Sequence, residues 1–142
     1  MECRRLGRSG LLVSPICLGA MMFGERTDQA EAARILASAR EAGVNFIDTA
    51  DVYAKGESER VVGRLVAGDR DRWVIATKVG SATGGGPDGS GTGRRRVLRA
   101  IDESLARLGM DHVDIYYLHR DDEATPLEET LGAMADVIAA GK

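Results

Sequence analysis

From residue 15 onward, short apolar runs alternate with longer stretches whose apolar residues recur every three or four positions. That alternation predicts repeated strand–helix units around a parallel sheet, and four units can be counted. The first strand is expected at 16–18, followed by a helix over about 28–42 in which Ala32, Ile35, Leu36 and Ala39 share a face and Gly43 closes the last turn. The second strand is expected at 44–47, ahead of a helix over 57–66 with Val61, Val62, Leu65 and Val66 on one side and Gly68 past its end. The third is expected at 73–77, with a helix over 94–108 striped by Val97, Leu98, Ile101, Leu105 and Leu108 and capped by Gly109. The fourth, at 113–118, reads as a buried strand. Thr125 is expected to cap the helix after it, with Pro126 in its first position and Glu128 completing a capping box. Leu127, Leu131, Met134 and Ile138 form the predicted apolar stripe of that helix, and Gly141 stands at its C-terminal cap.

Ahead of these units, two short runs at 3–6 and 11–13 flank Gly7-Arg8-Ser9-Gly10, which predicts a β-hairpin outside the main sheet. The chain therefore reads as a single domain over 1–142, with the hairpin at about 1–14 and the βα units at about 15–142. The stretch 84–93 is rich in glycine. It lacks the Gly-Lys-Ser/Thr ending of a P-loop and the strand-to-helix setting of a dinucleotide-binding turn, so it is expected to be a substrate-side loop.

Composition narrows the function. Nineteen Lys and Arg against 22 Asp and Glu give a net charge of −3, which carries no nucleic-acid footprint. Cys3 and Cys17 form no C-x-x-C pair and have no histidine-rich companion, so neither a metal site nor a disulfide is expected. Arg4, Arg5 and Arg8 before the apolar stretch 11–23 imitate a signal peptide, but Ser14-Pro15 interrupts it and no A-x-A site follows. No run reaches the roughly 18 apolar residues of a membrane span. The expectation is a soluble, cytoplasmic chain.

The chemistry gathers at one edge. Asp48, Lys78 and His119 each end a successive predicted strand, and neighbouring parallel strands lie about 4.8 Å apart. They would meet at the carboxyl edge of the sheet, where parallel α/β folds place ligands. Tyr53, five residues after Asp48, joins them on the same rim. One such residue is ordinarily solvated surface; three of complementary chemistry in register point to a site.

The run Gly43-Val44-Asn45-Phe46-Ile47-Asp48-Thr49-Ala50-Asp51-Val52-Tyr53, followed by Gly56-Glu57-Ser58-Glu59, closely resembles the aldo-keto reductase signature. So do Ala76-Thr77-Lys78, Leu105-Ala106-Arg107-Leu108-Gly109 and Asp111-His112-Val113-Asp114-Ile115-Tyr116-Tyr117-Leu118-His119. The resemblance covers nearly the whole chain and is strongest to the branch with bacterial general reductases and channel β subunits. It implies an NADP(H)-dependent reduction of a small-molecule carbonyl to an alcohol, with Asp48, Tyr53, Lys78 and His119 as the catalytic tetrad. Tyr53 would be the proton donor. A phenol ordinarily holds its proton to about pH 10, so donation at neutral pH calls for a neighbouring cation. Lys78 would supply it, Asp48 would hold Lys78, and His119 would orient the carbonyl. Gly19, Ala20 and Met21, with Asp48, match the segment beside the nicotinamide ribose.

The family fold is a TIM-type barrel of eight βα units, typically about 250 residues or more, and four units are present here. The resemblance therefore implies a half barrel that lacks the grip on the adenosine phosphates. Three readings follow: a half that acts with a complementary half-barrel, a homo-oligomer that closes a barrel from two copies, or a non-catalytic module that binds or regulates a partner.

Overall fold

The computed structural model describes residues 1–142. At the N-terminus, β1 (Arg4–Arg5) and β2 (Leu12–Val13) pair antiparallel, with Arg4 opposite Val13 and Arg5 opposite Leu12. The turn between them is closed by the Ser9 hydroxyl, which donates to the Leu6 carbonyl at 2.7 Å. The hairpin stands apart from the main sheet, as its position ahead of the βα units predicts.

That sheet has four parallel strands in chain order: β3 (Leu18–Gly19), β4 (Phe46–Asp48), β5 (Val74–Val79) and β6 (Ile115–Leu118). Each is followed by a helix: α1 (Gln29–Glu41), α2 (Glu57–Val66), α3 (Arg94–Leu108) and α4 (Leu127–Ala139). The expected half barrel of four βα units is therefore present. No helix is long and apolar enough to cross a membrane.

The strands start later than the apolar runs suggest, because backbone groups at their predicted starts are engaged elsewhere. The Val44 N–H donates to the Ala39 carbonyl and closes the end of α1, with Gly43 left-handed at φ +83°. The Trp73 N–H closes a 3-10 turn onto the Arg70 carbonyl. Ile16 and Cys17 stay outside β3, where the Ser14 hydroxyl binds the Ile16 carbonyl at 2.6 Å. At its other end β5 runs two residues further than expected. Lys78 thus lies inside the strand opposite Tyr117, and the Val79 carbonyl still receives the His119 N–H at 2.7 Å.

Side chains alternate between the two faces of the sheet. On one face Ile47 and Ile75 pack with Ala32, Leu36, Val61, Val62, Val66 and Trp73 beneath α1 and α2. Further along, Val79 joins Val97, Ile101, Leu105, Ala133 and Val137 beneath α3 and α4. On the opposite face Phe46, Val74 and Ala76 pack against Val13 of the hairpin, with Leu6, Leu11 and Ile115 alongside. Asp48 and Lys78 have the same parity as Phe46 and Val74, so they extend this inner face past its apolar floor. Where α2 crosses the end of α3, Gly63 permits near-contact: a Cβ there would sit 2.0 Å from the Leu108 carbonyl oxygen.

The start and stripe of α4 differ from expectation. Pro126 occupies the N-cap, whereas Thr125 turns its hydroxyl to Asp122 at 2.7 Å and Glu129, not Glu128, reaches a backbone N–H, that of Arg94 at 2.8 Å. The face turned to the core carries Thr130, Ala133 and Val137, while Leu127, Leu131 and Ile138 are 62, 55 and 78% exposed. Small residues let α4 lie close on α3, which leaves the larger apolar ones pointing outward.

Candidate active site

Asp48, at the end of β4, and Lys78, one inner-face position further along β5, meet diagonally across neighbouring strands. The Lys78 Nζ donates to Asp48 Oδ2 at 2.6 Å, to the Thr49 carbonyl at 2.8 Å and to Tyr53 Oη at 3.2 Å. It also lies 4.6 Å from the centroid of the Tyr53 ring, within cation–π range. Three oxygens thus fix one ammonium beside one phenol. His119, just past β6, meets the Tyr53 ring edge to face, with centroids 5.7 Å apart and planes at 85°. All four sequence-predicted residues come together.

The His119 imidazole is pushed below its ordinary range by loss of water and then by the positive charges of Lys78 and Arg120, with Asp48 opposing. That environment favours the neutral imidazole. Its Nδ1 is buried and has no hydrogen-bond partner. Gly19 is paired opposite Asp48 in β3, and the Ala20 N–H donates to the Asp48 carbonyl at 2.8 Å. Ala20 itself is buried under α2, where its carbonyl receives the Ser58 hydroxyl at 2.7 Å. Gly19 faces open space and Met21 is exposed, so these two form a ledge beside the carboxylate. Cys17, just before β3, lines a cavity with Phe46 and the hairpin. Loss of water, then Asp48, push its thiol up to about 11 against the pull of Lys78, and it stays protonated at neutral pH.

The turn that carries Tyr53 is unusual. Ala54, Lys55 and Gly56 are all left-handed, with φ of 48°, 54° and 87°, although only glycine adopts that region without strain. Beneath the turn lies a group of buried charges that sequence reasoning missed. Glu59 is wholly buried and accepts from Thr77 Oγ1 at 2.6 Å and Arg107 Nε at 2.5 Å. Asp51 Oδ2 accepts from Arg96 Nη2 at 2.7 Å. Burial lifts the Asp51 carboxyl to about 6, with Glu59 adding to the rise and Arg96 opposing it. A signal for Arg96 did exist in the chain: it falls four and eight residues before Ala100 and Ser104, on the small, buried row of α3.

Known proteins resemble this chain in sequence and in fold. The model of the Aldo/keto reductase family matches residues 15–142. The chain is 43% identical over 145 residues to a probable voltage-gated potassium channel subunit beta of Oryza sativa subsp. japonica, covering 99% of this chain and 44% of that protein. It is 39% identical over 149 residues to L-glyceraldehyde 3-phosphate reductase of Escherichia coli, covering 100% of this chain and 43% of that one. Among solved structures, the holo form of an aldo-keto reductase from Bacillus halodurans superposes with a TM-score of 0.89 at 36% identity, over 99% of this chain and 47% of its own. The chain thus spans less than half the length of these relatives, and its sheet and helices form part of their barrel. With its fold, its motifs and the family match in agreement, the chain belongs to the aldo-keto reductase family.

Proposed function

We infer that the chain carries the proton-handling half of an NADP(H)-dependent reductase of small aldehydes or ketones. The observation that carries this reading is the single Lys78 ammonium held by Asp48 and the Thr49 carbonyl while it touches the Tyr53 hydroxyl. A bound nicotinamide would supply the hydride to the carbonyl carbon. The developing charge on the carbonyl oxygen then takes the Tyr53 proton, and the phenolate left behind is stabilised by Lys78. Asp48 balances Lys78 so that the pocket holds no unpaired cation. Neutral His119 donates a hydrogen bond to the carbonyl oxygen and sets its direction.

The residues present suit the nicotinamide end of that cofactor. The open ledge of Gly19 and Met21 lies beside the Asp48 carboxylate. The adenosine end has no such support among these four units. The test is NADPH titration by fluorescence together with solution mass, alone and with a complementary half-barrel, followed by carbonyl reduction. Tyr53→Phe is expected to lower that reduction by about 100-fold or more, and an active Tyr53→Phe variant sinks the assignment.

A second reading is favoured by a separate observation. The sheet has free parallel edges at β3 and β6, and Leu127, Leu131, Ile138, Tyr117 and Leu118 lie exposed on the β6 side. Unpaired strand edges and exposed apolar side chains favour association, with a complementary half, a second copy or a regulated partner. Cytoplasmic location is part of this proposal, in keeping with exposed free thiols.

A further inference from the structure

The Tyr53 hydroxyl reaches Lys78 only if its turn stays where it is. Its own restraints are weak: Tyr53 N–H to the Ala50 carbonyl at 3.2 Å, and Asp51 N–H to the Lys78 carbonyl at 3.3 Å. Left-handed Ala54 and Lys55 add strain, which persists only where the surroundings over-determine the backbone. A cavity of about 370 Å³, lined by Asp51, Val52, Lys55, Thr83, Glu103 and Arg107 among others, leaves the turn room to move.

Two anchors close that freedom. Downstream of Tyr53, Gly56 rests against Arg107, where an added Cβ would lie 2.6 Å from its Cδ, and Arg107 is itself held by buried Glu59. Upstream, Arg96 Nη2 donates both to Asp51 Oδ2 at 2.7 Å and to Thr83 Oγ1 at 2.9 Å. One guanidinium therefore ties the turn after β4 to the loop after β5. The Arg96 and Asp51 side chains are 3 and 1% exposed. A buried ion pair is a poor source of stability, since apolar residues of the same volume commonly do as well. The two protons of Nη2, one to each acceptor, fix two loops at once.

We propose that Arg96 is a positioning residue, which through Asp51 and Thr83 holds the turn that sets the Tyr53 hydroxyl against Lys78 and the Tyr53 ring against His119. What Tyr53 is positioned for rests on the reductase reading; that it is positioned does not.

The test reads geometry rather than turnover. NMR spectra of the whole chain with labelled tyrosine and histidine report the Tyr53 and His119 rings, assigned with Tyr53→Phe, while the Trp73 indole in the other core reports the fold. In Arg96→Met the Tyr53 signals are expected to move toward those of an unstructured tyrosine. The His119 signals should lose the ring-current contribution of their edge-to-face neighbour, with Trp73 unchanged. Asp51→Asn should shift the same signals in the same direction. Arg96→Lys, whose ammonium stops short of the position of Nη2 and so cannot keep both bonds at their present lengths, should fall between. Unmoved Tyr53 and His119 signals in a folded Arg96→Met chain overturn the proposal. Should that variant fail to fold, unmoved signals in Arg96→Lys overturn it equally. Failure of the unaltered chain to bind NADPH would count against the reductase reading and would leave this result standing.

Discussion

Gly63→Ala puts the packing between α2 and α3 to a direct test. The added Cβ would lie 2.0 Å from the Leu108 carbonyl oxygen, 2.6 Å from its carbon and 2.9 Å from its Cα. All three are backbone atoms at the end of α3, so no rotamer change relieves the clash. The helices must separate by roughly 1 Å, a gap that forfeits a quarter to a half of each dispersion contact across it. Overpacking of this kind costs about 1–3 kcal/mol when side chains can adjust. With only backbone to move, the cost exceeds that range and outweighs the gain of about 1 kcal/mol from replacing glycine in a helix. The net expectation is a loss of about 3 kcal/mol. For a chain of 142 residues that corresponds to a fall in Tm of about 10 °C. Thermal and urea unfolding of the two chains side by side would measure it. A variant with unchanged or raised Tm would refute the reasoning, because it would mean the two helices do not meet at Gly63.

Other expectations are independent of this one. Ala54→Gly removes the strain of a left-handed alanine at φ 48° and should raise stability by roughly 0.5–1 kcal/mol after the added freedom of the unfolded chain is counted; a loss in urea unfolding would contradict it. Because the Asp51 carboxyl is lifted from 3.8 to about 6, the native state holds that proton more tightly than the unfolded chain. The resulting stability is present below about pH 4 and is lost as pH rises through about 6, a span of about 3 kcal/mol. The stability of the wild type minus that of Asp51→Asn should accordingly grow on acidification, and parallel pH curves would refute this. Leu131→Glu and Ile138→Lys replace side chains that are 55 and 78% exposed. Each should leave stability within about 0.5 kcal/mol while reducing association seen by ultracentrifugation; a larger loss would show that this face is packed.

Much of the fold was legible because its signals are local. The stripes of α2 and α3 and the glycine after α3 set their bounds without reference to anything distant, and both helices run as the periodicity predicts. Strand starts were less so: whether the N–H of Val44 or Trp73 enters the sheet depends on the helix or turn before it, and an apolar run carries no mark of that choice. The stripe of α4 misled for a different reason. Leu127, Leu131 and Ile138 have the right spacing, but spacing does not say what covers them, and the close approach of α3 selects Thr130, Ala133 and Val137 instead. The clustering of Asp48, Lys78 and His119 was legible because they fall at corresponding places in successive units, with Tyr53 on the turn after Asp48. The Arg96–Asp51 pair spans 45 residues and stood out of reach, since helical spacing marks Arg96 as buried but does not say which distant carboxylate it meets.

The tetrad has one further property. Its four members lie in a single uninterrupted stretch of chain, from Asp48 to His119, and each is held by groups within these four units. The contacts that would set up proton transfer are thus all made inside these four units. A family barrel divided after α4 would lend itself to split-protein complementation. Reduction of a carbonyl would report, by turnover, that a second half had docked, and would let candidate halves be ranked by selection rather than by measured affinity.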